Sequence, residues 1–234
     1  MKKLSFAFLL FVLWVSFANA AGSRGNGNTV TVEKDVLPFE SIYAGGKLTV
    51  NYFQSQEYRV FVTIDSNLEE YLNIFTENNR LNIRTKRGKK ISPREFTVDV
   101  YSPGLSDVSM SGDIQFRGTD IIHARDFSLR ISGSGDVDAS IICESFSARS
   151  SGSSLITLAG SCNDLSISIS GSGNFNAYEF QANTADVRVS GSSRIDLWVL
   201  EHLRAKMSGS GWLRYRGNPF VDLQSSGSGY FSRG

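Results

Sequence analysis

Across the C-terminal half of the chain, apolar and polar residues alternate, the alternation breaks at a Ser-Gly pair, and it then resumes. The pairs begin at Ser111, Ser132, Ser151, Ser170, Ser190, Ser208 and Ser226, at spacings of 21, 19, 19, 20, 18 and 18 residues. Aligned on that serine, the apolar residues fall into columns. Three positions before it stand Val108, Leu129, Ala148, Ile167, Val187, Ala205 and Leu223; five after it stand Phe116, Val137, Ile156, Phe175, Ile195, Leu213 and Phe231. The position just before it reads Met110, Ile131, Ser150, Ile169, Val189, Met207 and Ser225, so Ser150 and Ser225 depart from an otherwise apolar column. A period of two on both sides of the pair predicts strand, corner, strand in every repeat. Units this short close no core of their own and bury their apolar faces only by lying on one another. The expected architecture is all-β. An N-terminal β-sheet region continues into a right-handed parallel β-helix or solenoid-like stack of about seven short coils.

The glycine after each serine is invariant among the repeats: Gly112, Gly133, Gly152, Gly171, Gly191, Gly209 and Gly227. Alternation carried through the corner turns both glycines of Ser-Gly-Ser-Gly inward. There the missing Cβ permits a sharp bend, a positive φ or a close approach to the opposite wall. The flanking serines face outward and are expected to form hydroxyl ladders that hold register. A phosphate cradle would need one glycine-rich loop feeding a helix N-terminus, whereas here seven copies lie between strands. A calcium ladder would need recurring acids, and those of "SGSGDVDAS" (Asp136 and Asp138) do not recur in the equivalent columns.

Residues 28–102 show no such repeat but read as β throughout, in "NTVTVEKDV", "GGKLTVNYF", "YRVFVTID", "RLNIRT" and "REFTVDVYS". Gly45-Gly46 and Asn78-Asn79 carry turn chemistry, and "SNLEEYLNIFTENN" has room for one helical turn. The polar stretch "TKRGKKISPRE" predicts an exposed loop. It belongs to a basic cluster of Arg80, Arg84, Lys86, Arg87, Lys89, Lys90 and Arg94. That cluster is either a solvated loop or a contact for an anionic glycan or lipid headgroup.

The first twenty residues, MKKLSFAFLLFVLWVSFANA, have the layout of a secretory signal peptide: two lysines, an apolar run and an Ala-Asn-Ala cleavage site. The expected division is therefore 1–20 signal peptide, 21–102 N-terminal β region and 103–234 repeat region. Removal of the leader takes Lys2 and Lys3, leaving 22 basic residues against 23 acids and a net charge of −1. So neutral a chain is not built as a whole to bind nucleic acid. Beyond residue 20 no apolar stretch approaches the ~20 residues of a membrane span, so the mature chain is expected not to span a membrane.

Cys143 and Cys162 are the only cysteines, each eight residues before a corner serine, so stacking puts them in one column of adjacent coils. Export permits a disulfide there, structural in role, with two free buried thiols as the alternative.

The leader, "FTVDVYSPGLSDVSMSGDI" and the repeated Ser-Gly-Ser-Gly between alternating strands resemble the head GIN domain of putative auto-transporter adhesins, over residues 36–218. The resemblance implies an all-β, solenoid-like fold, an exported location in the periplasm, on the outer surface or in the medium, and an adhesin role. It carries no catalytic residues and calls for no cofactor or metal.

The leading functional expectation is thus a non-catalytic envelope module that presents its strands to glycan or protein partners. Trp212, Arg214, Tyr215 and Tyr230 form the candidate ligand surface, and capping of the terminal coil is the competing role for the aromatics. Arg84, Lys86, Arg87, Lys89 and Lys90 form the candidate anionic-partner loop. The alternatives are a self-associating structural protein, and a polysaccharide-active enzyme drawing on Asp136, Asp138 and Glu144, which would lack basic partners in neighbouring coils.

Overall fold

Parallel pairing in constant register organises the computed structural model, which describes residues 22–234. The signal-peptide reading lies outside the described residues. In chain order the strands are β1 (Ser23–Arg24), β2 (Thr29–Lys34), β3 (Ser41–Gln54), β4 (Arg59–Asp65), β5 (Leu72–Glu77), β6 (Arg80–Thr85) and β7 (Ile91–Ser92). There follow β8 (Phe96–Ser102), β9 (Asp107–His123), β10 (Asp126–Ile142), β11 (Ser145–Gly209), β12 (Trp212–Arg216), β13 (Phe220–Gly227) and β14 (Tyr230–Arg233). The one helical turn among the described residues, Glu69–Tyr71, falls in "SNLEEYLNIFTENN". Asn78 and Asn79 take φ of 50° and 61° in the β5–β6 turn, as their turn chemistry predicts.

The columns of the sequence are the register of the ladder. Strand β9 pairs with β10 as Val108↔Leu129, Met110↔Ile131, Gly112↔Gly133 and Phe116↔Val137. Strand β10 pairs with β11 as Leu129↔Ala148, Ile131↔Ser150, Gly133↔Gly152 and Val137↔Ile156. The longer first spacing is absorbed at a register shift between Asp138 and Ser140. Inward residues form a continuous apolar core, and like residues meet: the Phe127 and Phe146 rings lie 5.7 Å apart and 9° from parallel.

Two sequence expectations need correction. The region before residue 103 does contain a rung of the repeat, because β3 pairs with β9 through Ile42↔Val108, Ala44↔Met110, Gly46↔Gly112, Leu48↔Ile114 and Val50↔Phe116. Gly45-Gly46, predicted as a turn, is that rung's corner. On this side β6 and β8 cover β3 in parallel, and antiparallel strands then end the sheet: β4 pairs with β8, and β2 pairs with β4.

The corner glycines also differ from expectation. The first glycine of each pair does not enter the core; its hydrogens point along the ladder. A Cβ on Gly171 would lie 2.4 Å from the Gly152 carbonyl oxygen, and one on Gly191 2.2 Å from that of Gly171. The same residues hold φ between +109° and +125°, where side chains are strained. The second glycine does face inward, since a Cβ on Gly135 would strike Ile131 and Met110 at 2.7 and 2.8 Å.

Nor do the corner serines form a ladder of hydrogen bonds. Among the described residues, none of the seven hydroxyls from Ser111 to Ser226 bonds to another protein group. Register is held by backbone pairing and core packing instead. Ser150 is buried as its column predicted, with an unpartnered hydroxyl, whereas Ser225 is exposed and donates to the Gly229 carbonyl at 3.3 Å.

Gly46 has the same positive φ, +117°, but a Cβ added there would meet no atom within 4 Å, because no corner lies beneath it. Gly46→Ala is therefore expected to lose only the strain, about 1–3 kcal/mol, and Gly171→Ala clearly more. Denaturant unfolding of both variants checks this; equal losses would remove the backbone contact as a cause.

Candidate functional site

The outward positions after the corner stack rung upon rung at the C-terminal end. Register places Arg194 on Trp212 and Trp212 on Tyr230, Asp196 on Arg214 and Arg214 on Ser232, and Trp198 on Arg216. The residues between them, Ile195, Leu197 and Leu213, are buried, so strand alternation forces this set outward.

Guanidinium groups and aromatic rings interleave there. The Arg194 guanidinium lies 4.5 Å from the Trp212 ring centroid, and that of Arg214 lies 4.9 Å from Tyr178. Arg216 sits 4.5 Å from Tyr178 and 4.0 Å from Trp198. Such contacts contribute about 0.5–2 kcal/mol each, more as water is excluded. Asp196, only 5% exposed, accepts from Arg194 Nε at 3.1 Å and Arg214 Nε at 2.6 Å. The indole of Trp212 donates to Ser232 Oγ at 3.1 Å, and Arg216 pairs with Glu179 at 3.6 Å while its Nε is buried without a partner. Three guanidiniums thus face two carboxylates, on a surface rich in flat, polarisable rings.

Of the predicted surface residues, Trp212, Arg214 and Tyr230 come together here, and Tyr230 is 63% exposed. Tyr215 does not join them, because its side chain packs against the core in the column of Leu197. An odd offset from Trp212 carries that information in the sequence. Sequence reasoning missed Tyr178, Arg194, Asp196, Trp198 and Arg216. Tyr178, Trp198 and Arg216 stand eight residues after successive corner serines, which is the signal that finds them.

The basic loop between β6 and β7 is a turn closed by Lys89 N donating to Lys86 O at 3.0 Å. Arg84 and Lys89 lie over the rings of Phe75 and Tyr71 at 5.1 and 5.2 Å. Among the described residues Lys86, Arg87 and Lys90 have no carboxylate within ion-pair distance. The acids Asp136 and Glu144 do have basic partners in neighbouring rungs, contrary to expectation: Arg117 binds Asp136 at 2.7 Å and Arg125 binds Glu144 at 3.3 Å. These are sidewise ties between rungs.

Cys143 and Cys162 occupy adjacent rungs, next to the pair Ile142↔Ser161, but both are free thiols, so the disulfide is not formed. The neighbouring Cys162 thiol holds the Cys143 thiol below its usual range against the opposing effect of burial, and the Cys143 sulfur together with burial pushes Cys162 up.

The fold is an all-β ladder of mainly parallel strands with an outer face dense in arginine and aromatic side chains. The chain belongs to the family described as putative auto-transporter adhesin, head GIN domain, which matches residues 38–219. No curated protein matches it. Among solved structures it is similar to a putative adhesin from Bacteroides fragilis, at 22% identity and a TM-score of 0.86, over 91% of this chain and 100% of that one. A putative lipid binding protein from Parabacteroides distasonis matches at 24% identity and a TM-score of 0.67, over 90% and 98% of the two chains. A putative adhesin from Parabacteroides merdae matches at 23% and 0.66, over 91% and 99%. At these identities the likeness concerns the fold. Among the described residues no helix is long and apolar enough to cross a membrane.

Asp196→Asn leaves Arg194 and Arg214 adjacent without a shared anion, and is expected to cost about 2–4 kcal/mol in denaturant unfolding. Alkylation of the native protein near pH 8, read by peptide mapping, is expected to label Cys143 well before the buried Cys162; equal labelling would contradict their difference in exposure and acidity.

Proposed function

We propose that the protein is a non-catalytic, exported adhesion module whose rungs form a right-handed β-helix or solenoid-like scaffold, and that the Trp212–Arg214–Tyr230 face binds a glycan or protein partner at the cell envelope. The observation that carries this reading is the interleaving of Tyr178, Trp198 and Trp212 with Arg194, Arg214 and Arg216 on one outward face. Capping of a terminal rung requires only apolar cover. It does not require two guanidiniums held in place by a nearly buried aspartate and a third paired with Glu179. Rigid aromatic and arginine side chains are the residue types that concentrate binding energy at interfaces, since they bring large area at low cost in conformational entropy. Membership of the adhesin family supports the same reading and the exported location.

A second reading rests on the C-terminal edge. Phe220 is 74% and Val221 38% exposed on β13, whose other side pairs with β11. An unpaired edge with apolar side chains favours end-to-end self-association. Light scattering of residues 22–234 separates the two: a concentration-dependent rise in mass supports self-association.

A glycan array and an envelope-protein pull-down with residues 22–234 test the adhesion module. Trp212→Ala is expected to weaken the retained ligand by about tenfold or more at unchanged fold. Undiminished binding by the variant would remove this face from the function.

A further inference from the structure

On the other side of the glycine corner runs a groove that the ladder builds from repeated positions. Two shallow concavities of about 690 and 470 Å³ meet at Ser168 and extend from Tyr43 and Arg80 at one end to Gln224 and Ser226 at the other. The residues just before each corner serine, among them Met110, Ile131 and Met207, border the groove only from behind, since each of these three is 3% exposed with its side chain in the core. Its rim carries the corner serines, whose hydroxyls make no hydrogen bond among the described residues. The column two residues before them adds cations.

Five cations line the groove, Arg80, Arg130, Arg149, Arg188 and Lys206, and no carboxylate does. Asp107 and Asp186 pair with Arg130 and Arg188 from the flank, whereas Arg80, Arg149 and Lys206 have no ion pair among the described residues. This concentration stands out in a chain whose formal net charge is only +1. Like charges spaced by whole rungs, about 4.8 Å each, repel one another, and the fold offers them little internal compensation.

We infer that this groove is a binding site for a linear acidic glycan, one whose sugar units carry carboxylate or sulfate groups. Guanidinium and ammonium groups supply charge-assisted hydrogen bonds to the anions. The free serine hydroxyls match sugar hydroxyls as donors and acceptors. The regular spacing of rungs suits a polymer over a single small anion, because each unit of chain meets the same donors again. A single-stranded nucleic acid is disfavoured by the shortage of stacking platforms, since Tyr43 is the only aromatic residue in the lining. The site uses none of the residues of the Trp212 face.

The test is equilibrium binding of residues 22–234 to polygalacturonate oligosaccharides, beside uncharged maltooligosaccharides of equal length and phosphatidylglycerol vesicles. The expected result is binding of the uronate alone, weakened steeply between about 0.05 and 0.5 M salt. Arg149→Gln with Lys206→Gln, both at exposed positions, is expected to lower affinity about tenfold or more. Circular dichroism confirms folding, and single R149Q and K206Q variants keep the test open if the pair does not fold. Trp212→Ala is expected to leave uronate binding intact, so failure of the aromatic face and failure of the groove are read separately. Equal binding of the neutral sugar, no loss in the lysine and arginine variants, or binding to vesicles without uronate binding would each overturn the proposal.

Discussion

Beneath each corner glycine from Gly112 to Gly227 lies the backbone of the preceding corner. The carbonyl oxygen there is 2.2 to 2.7 Å from where a Cβ would stand. This contact leaves room for hydrogen alone and pairs it with a positive φ that only glycine adopts without strain. Every rung must therefore turn at the same place and in the same way. Constant register follows, and with it the columns of like side chains that build the core.

The same constraint shapes the surface chemistry. Residues 18 to 21 apart in the chain become direct neighbours, so composition within a column decides the electrostatics of a face. At the Trp212 face the fold alternates cation with ring and anchors two arginines on Asp196, which relieves repulsion. Elsewhere Arg117–Asp136 and Arg125–Glu144 tie rungs by opposite charge. The groove beside the corner serines lacks that compensation within its lining, and this contrast gives it its character.

Much was legible in the sequence because it is local or periodic. Inward and outward positions, the corners, the turn at Glu69–Tyr71 and the Asn78-Asn79 hairpin follow from alternation and from turn residues. The placement of Cys143 and Cys162 as neighbours in adjacent rungs follows from their equal distance to a corner serine. Trp212 and Tyr230 fall on one column by the same count, and parity alone sets Tyr215 on the other side of its strand.

What only the tertiary structure decided concerns contacts made across long excursions or between side chains of different rungs. The pairing of β3 with β9 was hidden because Ser55 to Ser106 intervene and the corner reads Gly45-Gly46 without a serine. Nor could spacing tell that the two thiols stay free, that Asp136 has Arg117, or that the corner hydroxyls stay unpaired. A column specifies which residues stand side by side. The direction in which their side chains lean, and therefore what they bond, depends on the packing of the rungs above and below.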